Sequence, residues 1–162
     1  MKFISKLKVN IFLVLVILIK YTPLQIDIKY QYIPEILSLL IYVIYLQRSD
    51  LLKYMNIFFL SLFDDLLRLN YIGISIIQNS IYVFYIDILR KKYSSNILFD
   101  WLSFTILNII LLPIKYILLS FFKNCDIVSF DIFFKKAFVT IAFFPFIYYL
   151  TNKFIHNNKI NA

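Results

Sequence analysis

The chain has 162 residues, of which 62% are hydrophobic, 20% aromatic and only 16% charged. A water-soluble domain is roughly half apolar and about a quarter charged, so this chain lacks the polar surface to cover a soluble globule, and one all-α integral membrane domain spanning residues 1–162 is expected. The net charge of +8 comes from Lys and Arg punctuating apolar runs, which is how such residues set membrane topology; no folded basic surface is left over for nucleic acid.

Six apolar segments follow in order, roughly 9–26, 33–47, 54–69, 72–89, 97–117 and 132–151. A helix needs about 20 residues to cross the hydrocarbon core. Six transmembrane helices are predicted; the second, third and fourth segments are short, which leaves one or two re-entrant or neighbour-buried pieces, and five spans, as the competing reading.

The first segment follows Lys2, Lys6 and Lys8, as a secretory signal would. It continues into Lys20-Tyr21-Thr22-Pro23 rather than into a small-residue cleavage site, and so reads as a retained helix. The second opens on Pro34, which a first helical turn tolerates. It places Glu35, Ser38, Tyr42 and Tyr45 on one face. The third carries adjacent carboxylates, Asp64 and Asp65, at its far end.

Ionisable groups at membrane depth usually face protein or water. Consecutive helical residues point about 100° apart, so these acids do not share one face as a catalytic dyad must; one is expected inward and the other sideways or toward the interface. Arg68 lies four residues from Asp64 and three from Asp65, within pairing reach of either. Gly73, the only glycine, predicts either a turn with positive φ or a close backbone approach.

The fourth segment carries a second stripe, Ser75, Gln78, Asn79 and Tyr82. Two readings follow: hydrogen-bonded glue between helices, or a polar cleft among the second, third and fourth helices lined by Glu35, Ser38, Tyr42, Ser75 and Asn79. Pro113 and Pro145 lie inside the last two segments and predict bends. Lys115 is placed to snorkel at the far interface, residues 121–131 to form an outer loop, and Lys135 and Lys136 to mark the start of the last helix.

Basic residues favour both termini on the cytoplasmic side, with Arg48, Lys53 and the run Arg90-Lys91-Lys92 there too. Cys125 and His156 are the only residues of their types, which excludes a thiolate metal cluster. No Ser–His or Cys–His pair falls within the spans, and no nucleotide motif is present. No metal, cofactor or catalytic role is expected.

The order Pro34, apolar helix, Arg48–Leu52, then Phe58–Ser75 resembles the rod shape-determining protein MreD family. That family reads as a proline-led helix, a short basic loop and a run of the form FLxGLxxDLLxGxPLGLxA. The family aspartate falls on Asp65 and the glycine of its PLG triplet on Gly73, while Ser61, Leu69 and Tyr71 stand where the family has glycine, glycine and proline. Arg90-Lys91-Lys92, Asp100-Trp101-Leu102-Ser103-Phe104 and Pro145 extend the likeness, which covers about Tyr32 to Phe154.

The resemblance implies a non-enzymatic component of the bacterial cell-elongation machinery, helping to maintain rod shape by scaffolding or regulating peptidoglycan synthesis. The implied location is the inner membrane. The implied partners are an MreC-like membrane protein, the actin-like MreB, RodA and an elongation-specific penicillin-binding transpeptidase. The implied fold is similar to the substrate-binding membrane subunits of vitamin transporters. Asp65 and Gly73, with Asp64 and Arg68 beside them, become the expected structural or partner-docking motif. A small-molecule-binding subunit of a transporter is the alternative function.

Overall fold

A computed structural model describes residues 2–21, 35–67, 73–92, 96–122 and 130–160. They form six helices: α1 (Lys2–Tyr21), α2 (Ile36–Gln47), α3 (Tyr54–Leu67), α4 (Ile74–Lys92), α5 (Ile97–Phe122) and α6 (Phe130–Ile160). No strand occurs among the described residues. Each helix falls on one predicted apolar segment, and α5 and α6 run past their predicted ends.

Two segments, Ile97–Lys115 and Phe134–Phe154, are long and apolar enough to cross a membrane. Only 35% and 17% of their residues are buried, so they do not resemble the wrapped core helix of a soluble protein. Their outward faces carry Leu98, Leu102, Ile106, Ile109, Phe138 and Phe146, all exposed. By contrast, α2 and α3 have 12 and 14 residues. At about 1.5 Å per residue they fall short of the ~30 Å hydrocarbon thickness.

The bundle is organised around α2, which packs against α1, α4 and α6, while α3 lies along α4 and α5 along α6. Every residue from Leu37 to Leu46 is buried. The apolar stripe that a surface helix shows on one side is here continuous around the helix, because neighbours cover all of it. At its centre, Tyr42 meets Tyr82 edge-on at 5.5 Å between ring centroids, Phe104 at 4.8 Å and Phe144 at 6.1 Å. The hydroxyl of Tyr42 is buried without a hydrogen-bond partner.

Pro113 and Pro145 both lie inside continuous helices. The carbonyl that each proline leaves without its usual donor does not end the helix.

One end of the bundle collects Arg48, Asp50, Asp87 and Arg90. Arg48 grips Asp50 through two bonds, Nε to Oδ1 at 2.8 Å and a terminal guanidinium nitrogen to Oδ2 at 2.7 Å. The guanidinium beside it holds the Asp50 carboxyl below the usual carboxylate range. Tyr45 and Tyr54 both donate to Asp87, and Arg90 donates to the Leu46 carbonyl. The other end holds the two polar clusters that follow.

Candidate functional site

The acidic pair sits in the last turn of α3. The carboxylates face α4, whose first N–H groups lack intrahelical acceptors. Asp65 supplies them: Gly73 N–H donates to Oδ2 at 2.8 Å and Ser75 N–H to Oδ1 at 3.1 Å. A carboxylate at this place also meets the positive end of the α4 dipole. Asp65 is therefore a helix cap delivered from the preceding helix.

Gly73 adopts φ +111°, a conformation that side chains disfavour. A Cβ built there meets nothing within 4 Å. Of the two reasons expected for this glycine, the turn is the one the structure bears out, and close approach is not.

Asp64 departs from expectation. Both acids are buried, at 1% and 0% exposure, so neither turns sideways to the interface. A helix end wedged between two neighbours offers protein in both directions. Asp64 Oδ1 accepts from Lys20 Nζ at 2.7 Å and from the Tyr21 hydroxyl at 3.1 Å. Its Oδ2 accepts from Ser75 Oγ at 3.1 Å. An ammonium from α1 thus pairs with Asp64. Arg68, the partner expected from spacing, lies outside the described residues, as do Pro34, Tyr71 and Ile72.

The second cluster gathers at Glu35. Its Oε1 accepts from Lys115 Nζ, and Lys136 Nζ stands 3.6 Å from the same oxygen. Its Oε2 accepts from Gln78 Nε2 at 2.8 Å. Lys115 also donates to Gln78 Oε1 at 2.9 Å. The Gln78 amide donates to the Tyr82 hydroxyl at 3.1 Å, which in turn donates to Asn108 Oδ1 at 2.9 Å. The backbone N–H of Glu35 donates to Thr140 Oγ1 at 3.0 Å. One polar chain thus joins α2, α4, α5 and α6 beside a cleft of about 40 Å³.

The predicted cleft among the second, third and fourth helices is corrected in two respects. Its walls are α2, α4, α5 and α6, without α3. Its polar residues also divide. Ser75 and Asn79 turn toward α3, where Asn79 Nδ2 donates to Ser61 Oγ at 2.8 Å. Gln78 and Tyr82 turn toward α2 and α5. Of the residues expected to line it, only Glu35 does; Ser38 and Tyr42 are buried along α2. Lys115 does not snorkel outward: its side chain is 13% exposed and points to Glu35.

Lys20, Lys115 and Lys136 are the residues that sequence reasoning undervalued. Each falls at the same end of an alternating bundle as an acid, Lys20 with Asp64 and the other two with Glu35. Matching charges by depth would have paired them.

Comparison with family models, with curated proteins and with solved structures finds no match to this chain.

Proposed function

We propose that this chain is a non-enzymatic, multi-pass inner-membrane component of the bacterial cell-elongation machinery. It would hold peptidoglycan-synthesising partners in register and so maintain rod shape. The observation that carries the reading is the Asp65–Gly73 pair. These two residues bear the resemblance to the MreD family, and their carboxylate–amide bond sets how α3 meets α4. A scaffold needs such a fixed angle between helices more than it needs reactive groups.

In this reading all six helices lie in the membrane, in an arrangement similar to transporter substrate-binding subunits, and both termini face the cytoplasm. The short α2 and α3 are shielded by longer neighbours. The partners are an MreC-like protein, MreB, RodA and a transpeptidase of elongation. The lipid-facing sides of α5 and α6 leave ample apolar surface for helix-to-helix docking.

Depletion in the native rod-shaped host tests the reading. Cells are expected to round as wall growth loses its dispersed pattern along the cylinder. Rods that keep their width and dispersed insertion after depletion would sink it.

A further inference from the structure

A groove of about 320 Å³ runs between α1, α2 and α6. Leu40 and Ile44 of α2 form its floor, with Val16 of α1 and Ile147 of α6 beside them. Its rim is exposed: Phe12, Leu150 and Phe154 are 42%, 44% and 49% open to the surroundings. Thr151 is the one polar residue of the lining, and its hydroxyl turns back to the Ile147 and Tyr148 carbonyls. The lining thus presents hydrocarbon, and an apolar space of this kind takes an apolar guest rather than water.

The size fits one acyl chain. A cavity of about 150 Å³ holds a benzene-sized guest, so this groove takes roughly twice that, on the order of twelve carbons. Along α2 the lining runs from Ile36 to Ile44, about 12 Å at ~1.5 Å per residue, most of the ~15 Å depth of one hydrocarbon leaflet. A helix, about 10–12 Å across, is too wide for this volume over that length.

One end of the groove is basic. Lys8 lies one turn from Phe12 and Lys153 one turn from Leu150, on the same helix faces. Lys20 ties the far end of α1 to Asp64, and Tyr148 of α6 accepts from Gln47, so both lysines continue the groove toward the end that holds Arg48 and Arg90. Both are exposed, and neither makes an ion pair among the described residues. The acids of this end are engaged elsewhere: Arg48 holds Asp50, Tyr45 and Tyr54 donate to Asp87, and Asp100 is buried on α5. The acids whose side chains are not described, Asp27, Asp126 and Asp131, fall in sequence between α1 and α2 and around the start of α6, where the chain connects helices at the opposite end.

We propose that this groove holds one acyl chain of an anionic phospholipid from the surrounding membrane, with the phosphate of its head contacting Lys8 and Lys153. The chain fills the space over α2 that the Phe12–Phe154 stack leaves between α1 and α6. The site rests on the membrane location in the reading above and not on the role in cell shape, so lipid binding and rounding on depletion can fail separately.

In the test, the full chain is purified in a neutral detergent, mixed with phosphatidylglycerol or with phosphatidylcholine of the same chains, and followed by native mass spectrometry. Phosphatidylglycerol is expected to bind saturably and about tenfold tighter, the equivalent of one hydrogen bond to a charged group. Lys8→Met with Lys153→Met should remove that preference, and Lys8→Arg with Lys153→Arg should keep it. Lys91→Met, on an exposed α4 residue at the same end of the bundle, should leave it unchanged. A phosphatidylglycerol with a photoreactive group midway along one chain should label the unaltered protein at Val16, Ile36 and Leu150. Equal binding of the two lipids, a preference that survives the double methionine variant, or an equal loss in Lys91→Met would overturn the headgroup contact. Label spread evenly over the exposed faces of α5 and α6 would overturn the groove.

Discussion

Lys20 Nζ lies 2.7 Å from Asp64 Oδ1, an ion pair that fastens the end of α1 to the end of α3. The acid is nearly fully buried, while the lysine side chain is 17% exposed, so the two partners are not equivalent. Removing the lysine takes a charged donor from a buried carboxylate; removing the acid takes an acceptor from an ammonium that is nearer to water.

Lys20→Met is therefore expected to destabilise the protein by about 2–3 kcal/mol, toward the lower end for a broken buried pair because Ser75 and Tyr21 still donate to Asp64. Asp64→Asn should cost less. The double variant should recover at least half of the Lys20→Met loss. Denaturant unfolding in neutral detergent measures all three, and strictly additive losses would show that the pair is not coupled.

Substitutions at Gly73 should depend on backbone angle and hardly on side-chain size. Gly73→Ala is expected to cost roughly 1–3 kcal/mol for a side chain held at such a φ. Gly73→Leu should cost about the same, since no neighbour lies within 4 Å of a Cβ. A steep increase from alanine to leucine in the same unfolding assay would point to crowding instead.

Asp65→Ala removes the acceptor for two backbone N–H groups at the start of α4. The expected loss is about 1–2 kcal/mol, in the range of a lost helix cap. Asp65→Asn keeps one oxygen and should lose less. Amide hydrogen exchange should show the loss concentrated in the first turn of α4; uniform weakening across the bundle would contradict a local capping role.

Two tyrosines in one aromatic cluster should behave oppositely when their hydroxyls are deleted. Tyr42 buries a hydroxyl without a partner, so Tyr42→Phe should be neutral or stabilising. The Tyr82 hydroxyl bridges Gln78 and Asn108, and Tyr82→Phe is expected to cost about 1–2 kcal/mol by leaving buried amide groups unsatisfied. Equal effects of the two changes would refute this assignment.

In a chain whose Cys125 has been changed to Ser, single cysteines at Asp50 and Lys91 should react with an impermeant thiol reagent from one side of the membrane, and one at Lys135 from the other. Labelling of all three from the same side would rule out six alternating spans.

Much of this architecture was legible before folding. Apolar runs bounded by charge marked all six helices, because length and hydropathy are properties of each segment alone. The short α2 and α3 were recognisable for the same reason. The ends of α5 and α6 were not, since both helices continue beyond the apolar runs that marked them, to Phe122 and Ile160.

The sites were half legible. Periodicity placed Glu35 on one face of α2, but a face does not say which helix it will meet. That depends on the order of packing around the bundle, which brought α5 and α6 to Glu35 instead of α3. The stripe on α4 failed for a related reason. Ser75 and Gln78 are one turn apart, yet two different neighbours share that side of the helix. Gly73 was the most readable, because a positive φ is a local demand on one residue; its bond to Asp65 was not, because spacing along the helix pointed the acids to Arg68 instead.

The wrapping of α2 has a consequence for how the protein is made. Glu35 N–H bonds to Thr140, 105 residues later in the chain, and the flank of α2 around Gln47 is closed by the Tyr148 carbonyl. A nascent chain that has not yet produced α6 leaves this short helix without its cover. The second helix made is thus among the last to reach its final surroundings, and assembly of the centre must wait for the end of synthesis.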